Sequence, residues 1–194
     1  PPRSTLFPYT TLFRSYFMQE CYVIREALDY AEFRTAWRQV IQRHEAVRAS
    51  FVWNTGGDLM QVIRRAPEVD VALLDLSLLP EDEAKARIET LLAAERKAGF
   101  DLASAPPIRF HLFRLPDQSH LFVMSNHHIL LDAWCRSLLM ADFFEIYHAR
   151  LEGRQEHLQT PYRFRHFIEW LQQQAPDTAE AFWRGQLEGF EQPT

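Results

Sequence analysis

The sequence lacks the patterns that mark nucleotide-phosphate and disulfide chemistry. It has only six glycines in 194 residues, and they form neither a GxGxxG nor a P-loop pattern, so the usual phosphate cradle is missing. The two cysteines, Cys21 and Cys135, lie far apart and form no CxxC. This spacing predicts free thiols in a reducing compartment, for which the cytoplasm is the default.

Long apolar runs and an excess of basic charge are also missing. Apolar stretches such as residues 129–131 are far shorter than the ~18 residues that a membrane-spanning helix needs. Lys and Arg number 21 against 26 Asp and Glu, which gives a formal net charge of -5. We therefore expect neither a nucleic acid nor a membrane as a partner.

What is present is the composition of an ordinary globular domain. Hydrophobic residues make up 47% and charged residues 24% of the chain, which excludes a disordered chain or a coiled coil as a description of the whole. A length of 194 residues predicts one domain and one core.

The first fifteen residues form a separate case. Residues 5–15, TLFPYTTLFRS, match the in-frame translation of a common sequencing-library adapter at eleven consecutive positions. We therefore expect residues 1–15 to be an artefact and the genuine sequence, truncated on its N-terminal side, to start near Tyr16. A natural β-rich arm of Thr, Phe and Tyr is the alternative.

Hydrophobic periodicity over the remaining residues predicts strands and helices in irregular alternation. The predicted elements are a buried strand (18–26), a helix capped by Asp29, a hairpin (47–53 and 59–64), a helix from Pro80 to Gly99, two central strands (108–114 and 120–126), a helix from Asp132 closed by Gly153, and two helices with apolar stripes at 164–171 and 179–187. This order favours an α/β (α+β) fold with a mixed, mostly antiparallel sheet and packed helices over a Rossmann or TIM fold.

The candidate chemistry concentrates in the segment SNHHILLDAW, residues 125–134, where a central strand ends and a helix begins at Asp132. Adjacent side chains on an extended backbone point to opposite faces, so His127 and His128 are not expected to share one target. That argument weakens a zinc site, and we expect no metal. A histidine near its ordinary pKa suits a general base that acts on an amine or an alcohol. A pair of hydrogen-bonded core histidines is the structural alternative.

Four segments together resemble one family. HHILLDAW resembles the HHxxxDG signature of condensation domains of nonribosomal peptide synthetases, and RHEAVRASF (43–51) resembles their RHExLRTxF segment. Residues 100–109 resemble FDLxxxPxxR, and FRHFIEW (164–170) is similar to YxDYxxW. The double histidine combined with RHExxR is specific, and the resemblance spans residues 16–194. The final GFEQPT is similar to the junction between the two lobes of these domains.

The resemblance implies a chloramphenicol-acetyltransferase-like fold of two lobes, of which residues 16–194 form the N-terminal lobe, truncated at both ends. Such domains join a donor acyl or peptidyl thioester to the amine of an acceptor aminoacyl thioester. The implied partners are the C-terminal lobe, donor and acceptor peptidyl carrier proteins and an adjacent adenylation domain. The lobe itself binds no cofactor, since substrates arrive on the 4'-phosphopantetheine of the carriers, and the lobe alone is expected to be a poor enzyme.

Residue roles also follow from the resemblance. His128 matches the catalytic histidine, His127 its buried partner, and Asp132 a structural carboxylate paired with an arginine. The candidates for this arginine are, in order, Arg48, Arg43 and Arg109. Acceptor-tunnel candidates are Ala133 and Trp134.

Ala133 departs from the pattern, because the family has glycine there. Glycine lets the backbone approach a pantetheine arm or adopt a dihedral angle that alanine resists. Three alternatives stay open: a freestanding acyl-CoA-dependent acyltransferase of the same superfamily, an epimerisation domain, and a degenerate, non-catalytic interaction domain. Heterocyclisation domains are disfavoured, because they carry aspartates in place of the histidine pair.

Overall fold

The computed structural model describes residues 16–103, 106–174 and 176–190. Two compact units are present, Pro1–Thr160 and Pro161–Thr194. The adapter-like segment 1–15 and the last four residues of the predicted lobe junction lie outside the described residues. Within the described ranges, no helix is both long and apolar enough to cross a membrane.

The first unit contains a sheet, a hairpin and three long helices. Its elements are β1 (Phe17–Ile24), α1 (Tyr30–Arg43), a 3-10 helix (Glu45–Arg48), β2 (Ala49–Trp53), β3 (Leu59–Ile63), β4 (Val71–Asp75), α2 (Glu81–Ala98), β5 (Ile108–Arg114), β6 (His120–His127) and α3 (Ala133–Glu152). The order of the four-stranded sheet is β1-β6-β5-β4. Within the described residues, only the β4–β5 pair of this sheet is parallel, while β1 and β5 run antiparallel to β6. The prediction of a mixed, mostly antiparallel sheet is confirmed.

One face of the sheet packs against α1 and α3 through an aromatic core. Trp37 of α1 is 1% exposed, and its ring centroid lies 4.6 Å from those of both Phe110 and Phe143. Aromatic pairs at such separations contribute ~0.5–1.5 kcal/mol beyond the burial of their area. The apolar stripe predicted for α1 is therefore the face that holds the helix on the sheet.

The opposite face of the sheet is covered by α2. Its buried side chains Ala84, Ile88 and Leu92 pack with Phe113 of β5 and Val123 of β6. Because both faces are covered, β5 and β6 are central strands, as their apolar pattern predicts.

The helix ends follow local sequence signals. Asp29 caps α1 by accepting the N–H of Glu32 at 3.1 Å, and Gly153 ends α3 with a φ of 64°. A left-handed residue at this position is most readily a glycine. The predicted cap and stop are confirmed.

Two strand predictions differ from the structure. The pattern predicts a buried β1, but this strand pairs only with β6 at an edge of the described sheet. Tyr22 and Ile24 pack against the core, whereas Cys21 is exposed and Val23 is 58% exposed. In addition, the pattern does not predict β4 at all.

The second unit contains α4 (Phe164–Gln172) and α5 (Pro176–Gln186). Apolar stripes in the sequence predict both helices. Along α4, the ring of Phe167 lies 5.7 Å from that of Phe164 and 5.9 Å from that of Trp170. This spacing is that of residues three apart on one helix face.

Candidate active site

The segment that carries the two histidines joins the end of a central strand to the start of a helix. His127 is the last residue of β6, His128 follows it, and Asp132 is the N-cap of α3. The N–H of Leu130 donates to the carbonyl of His127 at 3.0 Å and closes a turn between them. A short turn therefore presents His128 from two rigid elements.

The two histidines lie in different environments, as the alternation of side chains along a strand predicts. His127 is 4% exposed, and its Nδ1 accepts the N–H of Ile129 at 3.0 Å. His128 is exposed. The inner ring therefore shapes the turn, and the outer ring is open to a reactant.

His128 has a defined orientation and tautomer. Its Nδ1 lies 2.8 Å from the carbonyl oxygen of Leu131, and since a carbonyl only accepts, Nδ1 carries the proton. In the neutral ring the lone pair is then on Nε2, which becomes the basic atom. The backbone N–H of His128 donates to the carbonyl of Tyr16 at 2.8 Å. The Tyr16 ring makes an edge contact with the imidazole, with centroids 6.4 Å apart.

Asp132 acts as a helix cap in this structure. Its Oδ1 accepts the N–H of Cys135 at 2.7 Å, and its side chain is exposed. The hydrogen bond from the Cys135 N–H, aided by the N–H of Trp134, holds the pKa of Asp132 below its ordinary value. The carboxylate therefore fixes the first turn of α3 four residues after His128.

Among the described residues, none of the three candidate arginines pairs with Asp132. Arg48 is the first candidate, but its side chain is buried and its Nη1 donates to the carbonyl of Arg64 at 2.6 Å. This bond fastens the 3-10 helix to the end of β3. Because its guanidinium is used there, Arg48 contributes to the scaffold of the hairpin and not to the histidine turn.

The other two candidate arginines also have different partners. Arg43, at the end of α1, pairs with Asp142 of α3 at 2.7 Å. Arg109 of β5 donates to the carbonyl of Gly99 at 2.7 Å, and its guanidinium carbon lies 4.2 Å from the centroid of the Phe100 ring. Both are built into the framework around the site.

Comparison with known protein families supports the interpretation of these motifs. The sequence model described as Condensation domain matches residues 9–194. The chain belongs to the condensation-domain family. The matched range includes residues 9–15 of the adapter-like segment, whose origin stays a prediction.

Relatives of this condensation-domain chain are large synthetases. One component of the linear gramicidin synthase of Brevibacillus parabrevis is 38% identical over 190 residues, which cover 94% of this chain and 2% of that protein. Bacitracin synthase 3 of Bacillus licheniformis is 35% identical over 178 residues, 91% of this chain and 3% of that protein. The predicted resemblance to condensation domains of nonribosomal peptide synthetases is confirmed.

The fold is also that of solved condensation domains. The starter condensation domain of rhizomide synthetase superposes with a TM-score of 0.80 at 22% identity, over 93% of this chain and 44% of that structure. The chain thus has the predicted chloramphenicol-acetyltransferase-like fold. It spans a few per cent of the two synthetases and less than half of the solved domain.

The acceptor-tunnel candidates of this condensation-domain chain, Ala133 and Trp134, lie at the start of α3. Ala133 is the first residue of α3, and among the described residues other than glycine only Gln118 has a positive φ. Position 133 is therefore helical, and alanine adopts its dihedral angles without strain. Trp134 follows with 79% of its surface exposed, so it lies on an open face of the helix.

Sequence reasoning did not find two groups that orient His128. The carbonyls of Tyr16 and Leu131 accept its backbone and side-chain N–H groups. Backbone acceptors carry no residue signature, so no motif could have identified them. In the described part of the chain, no group of three or more His, Cys, Asp or Glu side chains could hold a metal ion.

Proposed function

We propose that this chain is part of a condensation domain that forms an amide bond between two carrier-bound substrates, with His128 as its catalytic residue. The observation that carries the proposal is the His128 ring, which is exposed and held in one tautomer by the Leu131 carbonyl at 2.8 Å. That geometry directs a basic Nε2 away from the turn. His127 and Asp132 support the turn without entering the reaction.

The proposed reaction is aminolysis of a thioester. The α-amine of the acceptor attacks the carbonyl carbon of the donor thioester, a C–N bond forms and the C–S bond breaks. His128 Nε2 takes the proton that the attacking nitrogen loses and passes it to the leaving thiolate. A free α-amine has a pKa of ~8, so a modest base suffices, and such a base contributes ~10²–10⁴-fold to the rate.

The substrates are proposed to arrive on 4'-phosphopantetheine arms of donor and acceptor carrier proteins, with an adenylation domain adjacent. Support comes from the relatives, which are synthases of gramicidin and bacitracin. The rest of the domain, including a second lobe, is proposed to complete the walls of the site, because this chain covers 44% of a solved condensation domain. The two exposed free thiols, Cys21 and Cys135, suit the cytoplasm.

The test is single-turnover condensation by the parent synthetase with His128→Ala. Loss of the base is expected to lower the rate by ~10²–10⁴-fold. The matched control is His148→Ala, since His148 is an exposed histidine of α3 that lies outside the histidine turn, and this variant should keep the wild-type rate. Wild-type turnover by His128→Ala would contradict the proposal.

A further inference from the structure

The backbone of His128 is attached to the end of an edge strand. Phe17, the first residue of β1, pairs with His127, and the carbonyl of Tyr16, one residue earlier, accepts the His128 N–H at 2.8 Å. Strand ends open locally more readily than central segments of a sheet. The position of His128 therefore depends on what holds this end of β1.

Aromatic stacking helps to hold this end of β1 in place. The Phe17 ring stacks on Phe100, with centroids 5.1 Å apart and an interplanar angle of 21°. Phe100 follows Gly99, the residue that ends α2. The first residue of β1 is thus packed on a side chain of the loop between α2 and β5.

Arg109 in turn fixes that loop. Its guanidinium carbon lies 4.2 Å from the Phe100 centroid, and its Nη2 donates to the Gly99 carbonyl at 2.7 Å. One planar side chain therefore holds both the ring and the backbone before it. Phe17, Phe100 and Arg109 form what we term the aromatic clamp.

We propose that Arg109 is a positioning residue for His128, acting through the aromatic clamp on the strand end that receives the His128 N–H. The inference deepens the proposed function and rests on the catalytic role of His128. It also gives the FDLxxxPxxR segment a task, because Phe100 and Arg109 are its first and last residues. The motif supplies Phe100 and Arg109 to the aromatic clamp, and β1 supplies Phe17.

The first experiment measures amide hydrogen exchange of His128 by NMR in the 194-residue chain. Arg109→Lys keeps the positive charge near Glu95 but removes the planar group that stacks. We expect the His128 N–H to exchange about tenfold faster, because lysine, although still a cation, lacks the planar group that stacks on Phe100. Phe100→Leu should act in the same direction, and Phe100→Tyr, which keeps the ring, should exchange as the wild type does.

The control is Arg114→Ala on the same strand. Arg114 lies at the other end of β5, where it contacts Asp75 and Gln118 on the surface. Its loss should leave the exchange of the His128 N–H unchanged. Equal acceleration in Arg114→Ala and Arg109→Lys would show a general loosening of β5 and would overturn the proposal.

The second experiment measures steady-state condensation by the parent synthetase. Arg109→Lys and Phe100→Leu should lower kcat about tenfold, with the KM for both carrier-bound substrates unchanged. A rise in KM at constant kcat, or wild-type kcat in both variants, would overturn the positioning role. Retained turnover in His128→Ala would instead refute the proposed function, and the exchange result would distinguish the two failures.

Discussion

Asp142 offers a direct test of how the RHExxR segment is used. The carboxylate lies in α3, where its Oδ2 is 2.7 Å from Arg43 Nε and 2.8 Å from His44 Nε2. Both partners stand at the end of α1. The perturbation is a double-mutant cycle of Arg43→Ala and Asp142→Ala, which isolates the energy that couples the two residues.

The expected coupling follows from burial. The side chains of Arg43 and Asp142 are 20% and 21% exposed, so the pair lies between an exposed ion pair, worth ~0.2–1 kcal/mol, and a buried one, whose breakage costs ~3–5 kcal/mol. We expect a coupling of about 1–2 kcal/mol. Residual attraction between His44 and Asp142 does not change this value, because it is present in the Arg43 variant as well.

The assay is urea unfolding of the four proteins of the cycle, with equal m-values as the check that two states are compared. A second cycle pairs Arg43→Ala with Asp132→Ala and should show no coupling. No coupling between Arg43 and Asp142 would refute the observed ion pair. Clear coupling between Arg43 and Asp132 would restore Arg43 as a candidate partner of Asp132.

Two further predictions concern carboxylates. Burial tends to raise the pKa of Glu95, but the hydrogen bond and charge of His111 outweigh it and hold the pKa below the ordinary 4.5. The stabilisation by Glu95 is therefore present above pH 4.5 and is lost as the pH falls through its lowered pKa. The stability difference between wild type and Glu95→Gln in urea should shrink in acid; a constant difference from pH ~7 to ~3 would contradict this linkage. At the N-cap, Asp132→Asn should keep the wild-type Tm and Asp132→Ala should lower it, because asparagine also caps helices; equal losses of Tm would indicate a buried cationic partner.

Local signals explain which parts of the fold could be predicted. The apolar stripe of α1, its Asp29 cap and the Gly153 stop depend on neighbouring residues, so the pattern contains them. β4 differs, because its five residues VALLD become a strand only through parallel pairing with β5. The edge position of β1 likewise depends on where the other strands lie.

The candidate site also has one part that the sequence could predict and one part that it could not. The environments of His127 and His128 could be predicted, because side-chain alternation is a property of the strand alone. The sequence could not show which arginine, if any, pairs with Asp132. Three arginines were compatible with the motif, and only the folded chain sets their distances from Asp132. In the structure, Arg43 pairs with Asp142, and Arg48 donates a hydrogen bond to the carbonyl of Arg64.

The pairing of β1 with β6 also bears on how the chain folds. Gln19 and Ser125, which face each other in this pairing, are 106 positions apart. Contacts between such distant residues require closure of a long loop before any interaction compensates for the lost entropy, and they slow folding. Helices α1 and α2 lie within that loop and can form first from local contacts. The Tyr16 carbonyl reaches His128 only when the loop closes, so we expect this hydrogen bond of the histidine turn to form late in folding.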